Sequence, residues 1–216
     1  MRIEIWSDIV CPWCAIGMKR FHKALEAFPH RDGVEVVLRS FELDPDSPAD
    51  LGMPLDRMLS RKYGMTVEEA HAANARVAGL AAAEGLSFRM ENTRPGNSFA
   101  AHRLVHLAAE SGKASAVHQA FMKGYFCDGL AVGDPAALVA AAVEAGLERA
   151  DALHVLGSEA YAEEVRADES RAAQFGITGV PFFAIEETWG ISGAQPLEVF
   201  QEALASCWAK VEAATA

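Results

Sequence analysis

The chain opens on a period of two. In Arg2-Ile3-Glu4-Ile5-Trp6-Ser7 polar and apolar side chains alternate, which predicts a strand that is half-buried or at a sheet edge. From Ala15 to Phe28 the period lengthens. Ile16, Met18, Phe21, Leu25 and Phe28 share one face of a helix, which Pro29 and Asp32-Gly33 close. Val34 to Leu43 is dense in β-branched and apolar residues and predicts a central strand ending at Asp44-Pro45. Strand, helix and strand in this order make one right-handed βαβ unit.

From Pro54 to about Arg171 nearly everything reads as helix. Thr66 and Glu69 form a capping-box start for a segment that Gly85 closes. Asn97 or Ser98 caps the helix Phe99 to Glu110, and Asp134-Pro135 opens another that ends at Gly146. Ser158 is the expected cap of the next, with Tyr161, Val165 and Ala172 on one side. Strand character returns at Pro181 to Ile185 and at Trp189 to Ser192, with Glu186-Glu187-Thr188 as the turn. A last helix from Pro196 is expected to carry Leu197, Val199, Phe200 and Leu204 inward, and the tail Glu212 to Ala216 to fray. The order is therefore βαβ, a helical block, then ββα. It predicts a discontinuous α/β domain of residues 1–50 and 172–216 around a helical insertion and connecting helix at 51–171.

Composition narrows the function classes. Of 216 residues 51% are hydrophobic and 23% charged, which excludes a disordered chain. Nineteen basic against thirty acidic side chains leave a net charge of −11, which argues against nucleic acid and anionic membrane surfaces as partners. No apolar run approaches the roughly 20 residues of a membrane helix. Met1 leads straight into the first strand without the pattern of a secretory signal, so a cytoplasmic location is expected. Four cysteines are too few for a disulfide scaffold, so each needs its own explanation.

Cys11-Pro12-Trp13-Cys14 is the strongest chemical signal. Two cysteines three apart at a helix start lie on one face, close enough to form a small disulfide ring. Free backbone N–H groups and the helix dipole favour negative charge on the first sulfur, so Cys11 is expected to ionise below the free-thiol value of about 8.5. Pro12 costs the first turn no hydrogen bond. Cys11 ends the loop leading into the helix and is expected to be the exposed sulfur, with Cys14 more buried one turn further in. A zinc half-site and a plain buried pair are the rival readings. Zinc needs a second close pair of ligands, and Cys127 and Cys207 stand alone, so no metal is expected. In Gly179-Val180-Pro181 a proline opens a strand, where it sits at an end or carries a cis bond. The topology starts this strand beside the helix amino terminus, so Pro181 is expected to face Cys11 and Cys14.

These segments resemble the thioredoxin superfamily, its DsbA-like branch and, within that, the FrnE-like group. The resemblance rests on Ile5 to Cys14, Ser40 to Pro45, Asn97 to Leu104, Gly176 to Phe183 and Ile191 to Gln195. It implies a thioredoxin-like sheet domain with an all-helical insertion, the first three strands parallel and the last antiparallel. It also implies thiol–disulfide exchange on a disulfide-containing protein or small molecule. Cys11 attacks, Cys14 resolves, and cis Pro181 shapes a substrate groove with Pro12, Trp13 and Val180. No cofactor is expected beyond the redox-active disulfide, with glutathione or thioredoxin as electron partner. Asp8 is read as a proton acceptor or as a turn cap, and His102 as a proton relay or as a structural histidine. His71, His106, His118 and His154 get structural readings. Cys127 and Cys207 are expected to be buried, inert thiols, and Phe121, Met122, Tyr125 and Phe126 to line the core between the two parts or to floor an apolar substrate groove. The sequence assigns no oligomeric state.

Two other functions stay in view. Kappa-class transferases and 2-hydroxychromene-2-carboxylate isomerases share this architecture and use glutathione. They have serine in the place of Cys11 and an acidic-basic pair where this chain has Gly193-Ala194-Gln195. A redox-gated binding module, docking partners on its helical block, is the non-enzymatic reading.

Overall fold

The computed structural model describes residues 1–215. Strand β1 (Arg2–Ser7), helix α1 (Pro12–Glu26) and strand β2 (Glu35–Ser40) come first. A helical run follows: α2 (Leu55–Tyr63), α3 (Val67–Ala83), α4 (Phe99–Glu110), α5 (Ala114–Lys123), α6 (Pro135–Glu144), α7 (Arg149–Leu156) and α8 (Ala162–Gln174). Strands β3 (Phe182–Ile185) and β4 (Trp189–Ser192) and helix α9 (Leu197–Thr215) complete the chain. The sheet has the order β2-β1-β3-β4.

Two expectations about this sheet are corrected. β1 is a central strand and β2 the edge, the reverse of what their patterns predict. The polar positions of β1 do not face water. Glu4 lies 1% exposed between Arg39 of β2 and Arg171 of α8, and Trp6 donates its indole N–H to the Asp168 carbonyl at 2.9 Å. Helix α8 thus meets this face of the sheet with Asp168 and Arg171 as well as with Ala172, which joins Trp6, Ile177 and Ala184 in a small apolar cluster. The second correction concerns direction: β3 runs antiparallel to β1, with Trp6 opposite Phe182 and Ile3 opposite Ile185. A strand that begins beside the amino terminus of α1 begins where β1 ends, so it must run back along it. Only β1 and β2 are parallel, joined through α1, and the β3–β4 hairpin is antiparallel.

On the opposite face, Ile3 and Ile5 pack with Phe183, with Met18 and Phe21 of α1, and with Phe200, Leu204 and Cys207 of α9. Each fully buried large side chain contributes about 1.5–3 kcal/mol. Val199 does not join them. It is exposed, because Phe200, Leu204 and Cys207 define the buried face of α9. That helix continues to Thr215 where fraying is expected from Glu212, and Ala216 lies outside the described residues.

The insertion has its own core around Leu104, Phe121, Tyr125, Phe126 and Leu138, and that core also takes in Ile9, Cys11 and Cys14. The helical block therefore packs directly on the cysteine turn. Its helix starts follow local chemistry. Thr66 and Glu69 form the capping box, Asp134 caps α6, and the Asn97 side chain accepts the Phe99 N–H at 2.8 Å. Ser158 does not cap α8. The chain first turns through Tyr161 at φ 60°, while the Ser158 hydroxyl donates to the His154 carbonyl at 2.8 Å.

Candidate functional site

Cys11 occupies the N-cap position of α1, in extended conformation, with Pro12 at the first helical position. Its carbonyl accepts the Cys14 and Ala15 N–H groups at 3.1 and 3.3 Å, so the two cysteines sit at the ends of one turn. All four cysteines are free thiols. Cys14 is fully buried, and Cys11 is buried too, at 3% exposure. Cys11 is not the exposed sulfur that its position before the helix suggests, because the segment leading into β3 approaches it. The Cys11 thiol donates to the Val180 carbonyl at 3.6 Å. Trp13, between the cysteines, is 42% exposed, and Pro12 and Val180 are partly exposed.

The Val180–Pro181 bond is cis, and Pro181 is buried. Gly17 lets it seat there. A Cβ on Gly17 would lie 2.8 Å from Pro181 Cγ and 3.3 Å from Ala194 Cα, so only a glycine admits this contact. The Pro181 carbonyl accepts the Gly193 N–H at 2.8 Å, tying the proline to the end of β4. Arg20, one turn after Gly17, donates to the Ala194 carbonyl at 2.8 Å and pairs with Glu84.

Polar side chains back the cysteine turn. Asp8 is 1% exposed; its carboxylate accepts the Leu43 N–H at 2.8 Å and the Val10 N–H at 3.3 Å. His102 Nε2 lies 3.5 Å from the same carboxylate. Burial alone would raise the carboxyl of Asp8, but its contacts with His102, Leu43 and Ser98 outweigh it and hold the group below the usual carboxylate range. Asp8 therefore ties down the turn and also faces His102. Burial pushes the Cys14 thiol well above its ordinary value, and the adjacent Cys11 adds to this, while the Asp8 backbone and the Ser7 side chain work against it.

His118 belongs to this group and receives only a structural reading from sequence. Its Nε2 lies 3.1 Å from Ser7 Oγ, and burial pushes its pKa down to about 3. The signal was its place on helix α5, in an apolar stripe with Phe121, Met122 and Tyr125 at i+3, i+4 and i+7. The other histidines stand apart from the cysteines: His71 pairs with Asp56, His106 meets Ser40 and Asp168, and His154 is exposed. Cys207 lies in the core under α9, and Cys127 is half-buried; burial raises both thiols. Among the described residues no three potential metal ligands gather, and no helix is long and apolar enough to cross a membrane.

The arrangement offers a thiol beneath a strand-opening carbonyl, a second thiol one turn deeper, and buried polar groups behind both. The chain resembles a probable DsbA oxidoreductase from Streptomyces coelicolor at 53% identity, over 97% of this chain and 90% of that one, with a TM-score of 0.92. It is 26% identical to the protein YwbO of Bacillus subtilis over 94% of this chain and 96% of that one. A 2-hydroxychromene-2-carboxylate isomerase shares the fold, with a TM-score of 0.71 at 16% identity and full coverage of both chains. The model of the DSBA-like thioredoxin domain matches residues 2–205, and the chain belongs to that family.

Proposed function

We propose that this protein is a thiol–disulfide oxidoreductase of the reductase or isomerase type, acting on disulfides of proteins or small molecules. Cys11 is the nucleophile. Its thiolate attacks one sulfur of a substrate disulfide, forming a Cys11 mixed disulfide and releasing the other half as a thiolate that takes up a proton. Cys14 then loses its proton and attacks Cys11 Sγ. The Cys11–substrate bond breaks, the second substrate thiol leaves, and the pair ends as a disulfide. Two electrons have passed to the substrate, and glutathione or a thioredoxin-type dithiol returns them.

The observation that carries this reading is the Val180 carbonyl at 3.6 Å from the Cys11 sulfur, with Cys14 fully buried one turn deeper. An extended substrate segment entering beside Val180 would bring its disulfide to Cys11 and not to Cys14. Trp13 and Pro12 offer apolar surface for the flanking residues. Asp8 and His102 face each other behind the turn and serve as a relay for the released protons. Glutathione in a cytosol is poised at about −220 to −320 mV, well below the roughly −120 mV of a strongly oxidising pair, so a pair of that potential would be held there as dithiol and net oxidation is disfavoured. The isomerase reading lacks a comparable support. The carbonyls of Ala194 and Gln195, in the segment where it needs a pair of charged side chains, are bonded to Arg20.

Reduction of insulin disulfides with glutathione as electron source tests the proposal. Cys11→Ser should lose at least about a hundredfold in rate, because the attacking sulfur is gone. Activity retained in that variant would overturn it.

A further inference from the structure

Val180 and Pro181 lie just past the end of the sheet ladder. Its last pairs at this end are Trp6 with Phe182 and Phe182 with Ser192, so strand pairing does not itself fix the carbonyl that Cys11 meets. A neighbouring turn does. The Pro181 carbonyl accepts from the Gly193 N–H at 2.8 Å, and Gly193, at φ 80°, begins the turn that follows β4. The Gln195 N–H closes that turn on the Gly193 carbonyl at 2.9 Å. Arg20 of α1 then grips it, donating from one terminal nitrogen to the Ala194 carbonyl at 2.8 Å and to the Gln195 carbonyl at 3.4 Å. Nε of the same guanidinium lies 2.7 Å from Glu84 Oε1, and Lys23 Nζ lies 2.6 Å from Glu84 Oε2. Glu84 is the C-cap residue of α3, so the carboxylate belongs to the helical insertion.

We propose that Arg20, locked in place by Glu84, positions the Val180–Pro181 segment over Cys11, so that docking of the insertion on α1 sets the edge a substrate meets. This deepens, and rests on, the redox reading of Cys11. The line of contacts is continuous: Glu84 to Arg20, Arg20 to the Ala194 and Gln195 carbonyls, Gly193 to the Pro181 carbonyl, and the Val180 carbonyl to the Cys11 sulfur.

The residue types suit this task. A planar guanidinium offers donors in fixed directions and can hold a carboxylate and a carbonyl at once, which a single ammonium does less well. The side chains of Arg20 and Glu84 are only 18% and 15% exposed, so water competes weakly for their hydrogen bonds. Lys23 and Arg20 hold the Glu84 carboxyl below its ordinary value of 4.5, which keeps the pair ionic through the physiological range. Gly17 stands one turn before Arg20, where Pro181 and Ala194 press against it and have no room to shift toward α1. One face of α1 therefore both admits the segment and ties it. Arg20 touches neither the sulfur nor a substrate; it is a positioning residue.

Two measurements on the reduced full chain separate positioning from a purely structural ion pair. The first is kcat/KM for reduction of an extended peptide carrying a disulfide, with glutathione as electron source. The second is the rate at which iodoacetamide alkylates each of the four cysteines, resolved by peptide mass spectrometry. Arg20→Met should lower kcat/KM about 10-fold, near the lower end of the worth of a hydrogen bond to a charged group. Alkylation should move the other way at one site. Cys11, 3% exposed beneath Val180, should react at least about threefold faster as its cover loosens, while Cys14, Cys127 and Cys207 stay within about twofold of wild type. Glu84→Gln should shift both readouts in the same directions by less, because Arg20 keeps its carbonyls. Added to Arg20→Met it should change little more, because Glu84 acts through Arg20. Wild-type alkylation of Cys11 in Arg20→Met, or a parallel rise at all four thiols, would overturn the proposal. Multiplying effects of the two substitutions would overturn the part given to Glu84. A wild type that reduces no disulfide would count against the redox reading, and the alkylation rates would still decide whether Arg20 holds the segment over Cys11.

Discussion

Gly17 and Gly79 allow one substitution to be made in two environments with opposite expected signs. Both glycines lie inside helices, α1 and α3, and in an exposed helix interior glycine is about 0.8–1 kcal/mol worse than alanine. At Gly79 an added Cβ meets nothing within 4 Å, so Gly79→Ala should stabilise the protein by about 0.5–1 kcal/mol. At Gly17 the same methyl would stand 2.8 Å from Pro181 Cγ and 3.3 Å from the backbone of Ala194. Neither neighbour is the end of a flexible side chain. Overpacking of this kind costs about 1–3 kcal/mol, which offsets the propensity gain and leaves Gly17→Ala destabilised by about 1 kcal/mol. For a chain of this size 1 kcal/mol moves the melting temperature by roughly 2–4 °C. The two variants should therefore separate by about 3–8 °C in thermal melts followed by circular dichroism, one above wild type and one below. The melts are run in reductant, so that no Cys11–Cys14 disulfide contributes. Gly17→Ala should also reduce disulfides more slowly, because Pro181 carries Val180 over Cys11. If both variants melt above wild type, the close seat of Pro181 on α1 is wrong.

Two further perturbations test the ionic and polar interior. Burial alone would raise the carboxyl of Glu4, but Arg171 and Arg39 hold it below its ordinary value of 4.5. Its contribution is therefore fully present above about pH 4.5 and is lost as the pH falls through the lower folded value. Glu4→Gln should cost about 1.5–3 kcal/mol at pH 7 in urea denaturation, and the gap to wild type should close on acidification below about pH 4.5; a gap that widens there would contradict the assignment. Arg103 is buried and donates to the carbonyls of Val155, Ser158 and Ala160 around the end of α7. Arg103→Met strands these acceptors and should cost about 3 kcal/mol, lowering the melting temperature by roughly 6–12 °C, and a fall under about 2 °C would show them satisfied otherwise.

The parts of this molecule that were legible in sequence are those set by neighbours along the chain. The turn from Cys11 to Cys14 follows from covalent spacing and a proline at the first helical position. The same holds for the capping box at Thr66 and Glu69 and for the hairpin at Glu186 to Thr188. Misread features depend on residues far away in the chain. Glu4 alternates like a solvent-facing residue, yet its counter-ions arrive from Arg39 and Arg171. Cys11 reads as exposed until the segment at Val180, brought back by the antiparallel course of β3, closes over it. His118 illustrates a third case. A polar residue within an apolar helical stripe announces a buried partner, but nothing local says that the partner is Ser7, 111 residues away.

The central claim is that Cys11 attacks and Cys14 resolves. It is tested most directly by replacing Cys14 with alanine, exposing the reduced variant to a disulfide substrate such as oxidised glutathione, and mapping any covalent adduct by peptide mass spectrometry. The account predicts a single mixed disulfide on Cys11 that reductant removes, with none on Cys127 or Cys207 and none at all when Cys11 is also replaced. An adduct on another cysteine, or no adduct while disulfide reduction persists, would contradict it.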